Sequence, residues 1–181
     1  MSRAQLRPLL SAERIAGRVD EIGDAIARDY PGDTPLWLIG ALKGAAFFLA
    51  DLARAVDRDV RIDFIQASSY GSGTESSGNV RIVRDLDHDI AGCDVILVED
   101  IVDSGRTANV LLRLLGERRP ASLRLATLLD KPSRRVEPVQ IDYRGFDVHD
   151  QFVVGYGLDA AERYRNLPGV WTLPEPRVGG E

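Results

Sequence analysis

Glu99, Asp100 and Asp103 crowd three carboxylates against a short turn, Ser104-Gly105-Arg106-Thr107, in the run VILVEDIVDSGRTANVLLRLL over residues 95–115. The turn opens a helical pattern, with Val110, Leu111, Leu114 and Leu115 on one face. The start of a helix offers unpaired N–H groups and a positive dipole end, so the amides of 104–107 and the Ser104 and Thr107 hydroxyls suit a phosphate. Gly105 lets the backbone turn tightly. Carboxylates repel a phosphate, and the conflict resolves if one ligand carries two kinds of group. The turn takes a phosphate, and Glu99 and Asp100 hold hydroxyls, directly or through a hard cation such as Mg2+. Such a ligand is a sugar phosphate with free hydroxyls. Asp103 lies between the two and suits a general base. The stretch is neither a Walker A loop nor a dinucleotide fingerprint, since G-x-x-x-x-G-K-[ST] and G-x-G-x-x-G are both absent.

Two lysines stand out. The chain has 23 basic residues, and removing Lys43 and Lys131 leaves 21 arginines. A chain that writes its surface cations as arginine and keeps a lysine at two positions points to a need for a compact ammonium there. Lys43 sits in LKG just after an apolar run, and Lys131 ends LRLATLLD before Pro132. Taken singly, Lys131 reads as a solvated lysine, Phe152 in FVV as a core strand aromatic, and Arg165 as a surface arginine. His88 and His149 have no metal-ligand spacing, and Cys93 reads as structural.

The elements that must position these groups follow from periodicity. Ile15, Val19, Ile22 and Ile26 share one face of a helix over 12–28, with Ser11 as its cap. LWLIGALKG is a short strand, and 45–56 is a second amphipathic helix. Strands follow at 60–68 and 79–84, separated by SYGSGTESSG. Residues 95–98 are continuously apolar, as in a strand buried on both faces. After the helix over 107–117 come a strand at 123–129, two shorter strand-like runs, PVQIDYRGF and QFVVGYG, a short helix near 159–165 and a last strand, GVWTL. Alternating strands and helices predict an α/β fold with a mainly parallel central sheet flanked by helices.

With 181 residues, 44% of them hydrophobic, the chain suits a single domain over 1–181, its last residues 174–181 a mobile tail. A net charge of −5 does not favour a general nucleic-acid affinity. One cysteine excludes an internal disulfide. No apolar run reaches the roughly 18 residues of a membrane span, and the first residues lack the apolar core of a signal peptide. The expectation is a cytoplasmic protein with no membrane partner.

VILVEDIVDSGRTA resembles the phosphoribosyl-pyrophosphate motif of the type I phosphoribosyltransferases, and its third acid resembles the hypoxanthine-guanine branch. LKG, SSYG, LLDKP, DYRGF, QFVVGYGLD and YRNLP are similar to that family in the same order, over residues 10–173. The resemblance implies a small hood built from N- and C-terminal segments over the sheet. It implies phosphoribosyl pyrophosphate and a 6-oxo purine as substrates, Mg2+ as cofactor and a homodimer or homotetramer. It places the 5′-phosphate on 103–107, with Arg106 in that loop, and pyrophosphate on Lys43, Gly44 and Arg165, often with a cis peptide before the lysine. Lys131, Phe152, Val153 and Asp159 frame the base: Lys131 donates to the 6-oxo group and Phe152 stacks. Glu99, Asp100 and Asp159 are the expected metal-binding acids. Ser69 and Tyr70 match lid residues, so 69–78 reads as a loop closing over an oxocarbenium-like transition state; on composition alone it is a flexible hairpin tip. Ala45, Ala160 and His149-Asp150-Gln151 depart from the family pattern at the rims of the pyrophosphate and base sites. A rival reading keeps the fold but makes the chain a regulator that binds the ribose phosphate as an effector. Asp103, Lys131 and FVVGYGLD argue against it, as such regulators commonly lack that set.

Overall fold

In the computed structural model, which describes residues 6–69 and 80–173, six strands form one sheet in the order β4-β3-β2-β5-β6-β7. These are β2 (Leu36–Ala41), β3 (Val60–Ser69), β4 (Val80–Arg84), β5 (Asp94–Val102), β6 (Ser122–Asp130) and β7 (Tyr143–Asp147). All neighbours are parallel except β3 and β4. β2 is buried along its whole length, as its unbroken apolar run requires when both faces are covered.

Side-chain alternation divides the core between the two faces. Leu36, Leu38, Ile96 and Val98 face helices α1 (Ala12–Asp29) and α2 (Ala46–Ala55). Trp37, Ile39, Val95 and Leu97 face α3 (Arg106–Gly116). Ser11 caps α1, its Oγ accepting the Arg14 N–H at 3.3 Å. At Gly23 a Cβ would lie 2.6 Å from the Ala55 carbonyl oxygen, so glycine lets α1 and α2 close on each other.

A second, three-stranded antiparallel sheet joins β1 (Arg7–Leu10), β9 (Val170–Thr172) and β8 (Val153–Val154) in the order β1-β9-β8. It brings together N- and C-terminal segments, as expected of a hood. Two sequence-based expectations need correction. β1 was not foreseen, and the helix near 159–165 does not form. In its place the chain makes two tight reverse turns. Gly155 and Leu158 exchange backbone hydrogen bonds around Tyr156 and Gly157, and Ala160 and Arg163 do the same around Ala161 and Glu162. All four central residues have positive φ, the hairpin geometry that excludes a helix. Asp159 reinforces the second turn by accepting the Glu162 N–H at 2.8 Å. The 174–181 tail and the 70–79 part of the expected lid lie outside the described residues.

Candidate functional site

The sheet reverses its winding direction between β2 and β5: β3 follows β2 to one side, while β5 and β6 proceed to the other. Such a switch point opens a crevice at the carboxyl ends of the strands. Residues 42–45 leave β2 on one wall and residues 99–107 lie along the other. Glu99 and Asp100 still belong to β5, whose register continues to Val102 opposite Asp130. Their carboxylates are therefore mounted on the rigid sheet.

Glu99 is 6% exposed. Burial, then the charge of Asp100, raises its pKa well above the usual carboxylate range. Asp100 is pushed up to about 6 by burial. Backbone N–H donors and Arg165 work against that rise, and Asp159 adds to it. Among the described residues none donates a hydrogen bond to Glu99, and no three His, Cys, Asp or Glu side chains gather round one point. A buried carboxylate beside a half-buried one, lacking a shared cation, suits a ligand that brings hydroxyls or a divalent ion. An ion here would draw the rest of its shell from ligand oxygens. Asp159, the third expected metal-binding acid, lines the same cavity as Glu99 and Asp100 and is ion-paired to Arg165 at 2.7 Å.

Beyond the acids the chain turns into α3 through Gly105, whose φ is +87°. A Cβ there would lie 2.4 Å from the Glu137 carbonyl oxygen. The segment after β6 folds back to hold this loop: the Val136 and Glu137 N–H groups both donate to the Ser104 carbonyl at 3.0 Å. Gly105, the N-cap of α3, supplies no side-chain cap and no acid lies in the first turn; the Arg106 N–H donates to Ser104 Oγ at 3.4 Å, and a cavity of about 270 Å³ lined by 99–105, Thr107 and Ala108 opens at this helix start. A helix start open to a cavity is suited to an anion.

Asp103 sits at the mouth of this cavity. Its Oδ1 accepts from Arg134 Nε at 2.9 Å, and Arg134 also bonds Asp150 at 3.2 Å. The Asp103 carbonyl accepts from Arg135 at 3.0 Å. Arg135 is in turn ion-paired to Asp130, a buried carboxylate that Arg144 approaches at 3.2 Å. The sequence reading missed Arg134, Arg135 and Asp130. In an arginine-rich chain nothing marked those two arginines from the other nineteen.

A second cavity, of about 200 Å³, shares Glu99, Asp100 and Thr107 with the first and is otherwise lined by residues that include Lys43, Gly44, Asp159 and Arg165. The Leu42–Lys43 peptide is cis. Gly44 is close-fitted: a Cβ would fall 1.6 Å from Asp100 Oδ2. Gly157, at φ +97°, covers the other side, where a Cβ would lie 2.1 Å from the Gly44 carbonyl oxygen. Arg165 is not a free surface arginine. It donates to the Gly157 carbonyl at 2.7 Å and pairs with Asp159 and Glu162. Lys43 also bonds Glu162, at 3.0 Å, a partner the sequence reading did not single out.

The single-residue readings of Lys131 and Phe152 are both reversed. Lys131 is 6% exposed, its Nζ donating to the Gln151 carbonyl at 2.8 Å. Phe152 is 57% exposed. Only Val153 and Val154 of FVV enter β8 and are buried, so the ring stands out at the strand's edge as an open apolar face next to the Lys131 contact. Ser69 ends β3, and Tyr70 lies outside the described residues.

Residues 9–161 match the model of the phosphoribosyl transferase domain. The chain belongs to the phosphoribosyltransferase family. It is 53% identical to the hypoxanthine-guanine phosphoribosyltransferase of Mycobacterium avium, over 94% of this chain and 86% of that one. Against the Bacillus subtilis enzyme of the same name the identity is 48%, over 91% of each chain. The fold superposes on a crystal structure of a Staphylococcus aureus hypoxanthine phosphoribosyltransferase with a TM-score of 0.90, at 44% identity, covering 94% of this chain and 93% of the other.

Proposed function

We propose that the chain is a Mg2+-dependent purine phosphoribosyltransferase, joining hypoxanthine or guanine to the ribose of phosphoribosyl pyrophosphate and releasing pyrophosphate. The observation that carries this reading is the meeting of two cavities at Glu99 and Asp100: one runs to the start of α3, the other to Lys43, Gly44 and Arg165. Phosphoribosyl pyrophosphate has that form, with a phosphate at one end, a pyrophosphate at the other and a dihydroxylated ribose between.

In this reading residues 103–107 take the 5′-phosphate, and Glu99 and Asp100 hold the ribose hydroxyls. Lys43, the Gly44 amide and Arg165 take the leaving pyrophosphate. Mg2+, held by Glu99, Asp100 or Asp159 together with substrate oxygens, supplies neutralisation of that leaving group's charge. The bond from ribose C1 to pyrophosphate breaks as the bond to the purine forms, and Asp103 accepts or stabilises the purine N7 proton. Phe152 stacks on the base and the Val153 backbone meets its edge. Lys131 exchanges the Gln151 carbonyl for the purine 6-oxo group; a 6-amino purine presents donors to that ammonium and is disfavoured by mismatch. Closure of 69–78, with Ser69 and Tyr70, keeps water from the oxocarbenium-like transition state. Work in the cytoplasm as a homodimer or homotetramer, with no nucleic-acid or membrane partner, belongs to the same proposal and rests on family membership.

The test is nucleotide formation from phosphoribosyl pyrophosphate and Mg2+ with hypoxanthine, guanine, xanthine and adenine in parallel. Turnover of hypoxanthine or guanine, little of adenine, and loss of activity with chelator is the expected result. Binding of phosphoribosyl pyrophosphate without turnover of any base would sink the reading and favour a regulator.

A further inference from the structure

Lys43 and Arg165 already share an anion. Glu162 Oε2 accepts from Lys43 Nζ at 3.0 Å, and Oε1 accepts from Arg165 Nη2 at 3.2 Å. Among the described residues no other carboxylate is bonded to both. Asp159 pairs with Arg165 alone. Each Glu162 oxygen thus serves one cation, as two phosphoryl oxygens of a bound pyrophosphate would.

The placement of Glu162 does not depend on those ion pairs. Its Cα is fixed by the Ala160–Arg163 backbone exchange and by the bond from its own N–H to Asp159. Its φ is +61°, a conformation where a side chain is strained and glycine is the easy choice. The turn aims a long carboxylate back at the cavity from solvent. Hydrogen bonds from Lys43 and then Arg165 hold its carboxyl below the usual range, so it stays charged under neutral conditions.

We propose that Glu162 is a displaceable counter-anion of the pyrophosphate site, holding Lys43 and Arg165 together until pyrophosphate takes its place and returning when the product leaves. The inference rests on the pyrophosphate reading of this cavity given above. Without such a group, two cations beside an open cavity would bind the product more tightly than turnover needs. With it, binding exchanges one anion for another, and release is assisted by a carboxylate already tethered a few bonds away. Glu162 is a positioning residue in this account. It touches the cations and never the reacting atoms.

The experiment measures Mg2+-pyrophosphate binding by calorimetry, and product inhibition by pyrophosphate, for the full chain and for Glu162→Gln. The backbone contacts that hold the turn survive this change, and an unaltered melting temperature checks that. Two exposed ion pairs set the scale, so pyrophosphate should bind the variant roughly three- to tenfold more tightly. The KM for hypoxanthine should be unchanged, and the gap between the two proteins should narrow as salt rises. Equal or weaker pyrophosphate binding by the folded variant overturns the inference and leaves the proposed activity standing. A parent chain that neither binds pyrophosphate nor forms nucleotide overturns both.

Discussion

Replacing Gly44 by alanine tests the junction of the two cavities without replacing a charged residue. The new Cβ would fall 1.6 Å from Asp100 Oδ2, whereas ordinary contact begins at 3.4 Å, so the two must separate by 3.4 − 1.6 = 1.8 Å. The obstructing atom is the end of a side chain, so the strain is relieved by swinging the Asp100 carboxylate away. That swing breaks the bond from the Ile101 N–H to Asp100 Oδ1, worth about 1 kcal/mol, and lowers the melting temperature by roughly 2–4 °C in a chain of this size. The catalytic cost is larger. A displacement of about 1 Å in a positioned group costs on the order of a hundredfold in rate, so kcat/KM for phosphoribosyl pyrophosphate should fall by at least that. Gly157→Ala is the contrast. Its Cβ meets a backbone oxygen at 2.1 Å and its φ is +97°, so it should lose folding stability together with activity. Steady-state kinetics and thermal unfolding of both variants decide the matter. A Gly44→Ala protein within threefold of the parent's kcat/KM would refute the claim that Asp100 is held in its working position by the missing side chain.

Three further outcomes are expected. The pKa of Asp100 is raised from 3.8 to about 6 by burial, so the free protein binds that proton more tightly than the unfolded chain does. Its contribution to stability is present below pH 3.8 and lost as pH rises through about 6, and phosphoribosyl-pyrophosphate affinity should rise through about pH 6 and level off above it; binding that is flat from pH 5 to 8 would contradict this. Phe152→Ala removes a ring that is 57% exposed, so purine affinity should drop roughly tenfold or more through lost stacking while the melting temperature stays put; a large stability loss would return Phe152 to the core. Asp103→Asn should lower turnover by roughly 10²–10⁴ with phosphoribosyl-pyrophosphate binding little changed, and equal turnover would remove its role.

How far the sequence foretold this molecule depends on the range of the interactions involved. The acidic strand end, the phosphate turn and α3 are contiguous in the chain, and their chemistry is legible because local geometry decides it. The buried parallel strands announce themselves as unbroken apolar runs. β1 does not: four residues, one a proline, become a strand only because Val170–Thr172 arrive from the far end of the chain to pair with them. Residues 159–165 mislead for a related reason. Ala160, Ala161, Glu162 and Arg163 are good helix formers, but the Ala160–Arg163 backbone exchange closes a tight turn and Gly157 packs on Gly44, and these contacts outweigh local propensity. Phe152 reads as core because it adjoins two valines that are, and exposure is set by where β8 begins. Glu162 and Arg134 look like ordinary surface charges until their partners, over a hundred and about thirty residues away, are in view.

A common arrangement runs through the site. Lys43 and Arg165 are bonded to Glu162, Lys131 to the Gln151 carbonyl, and Asp103 to Arg134. Each group expected to meet substrate already has a partner from the chain itself. Buried or half-buried charges left alone would be costly, and a site made only of such charges would tend to collapse or to bind any passing ion. Substrate binding at these positions is therefore exchange, in which the net gain is the difference between two partners. That keeps affinity moderate where product must leave. Glu99 and Asp100 are the exception. Their pKa values are raised, and no cation among the described residues is hydrogen-bonded to either. Free energy is held back at this acid pair, so hydroxyls or a divalent ion arriving there relieve a penalty that backbone donors and Arg165 offset only in part. The strongest dependence on ligand should accordingly centre on the acid pair, with the surrounding cations setting how readily each end of the ligand comes and goes.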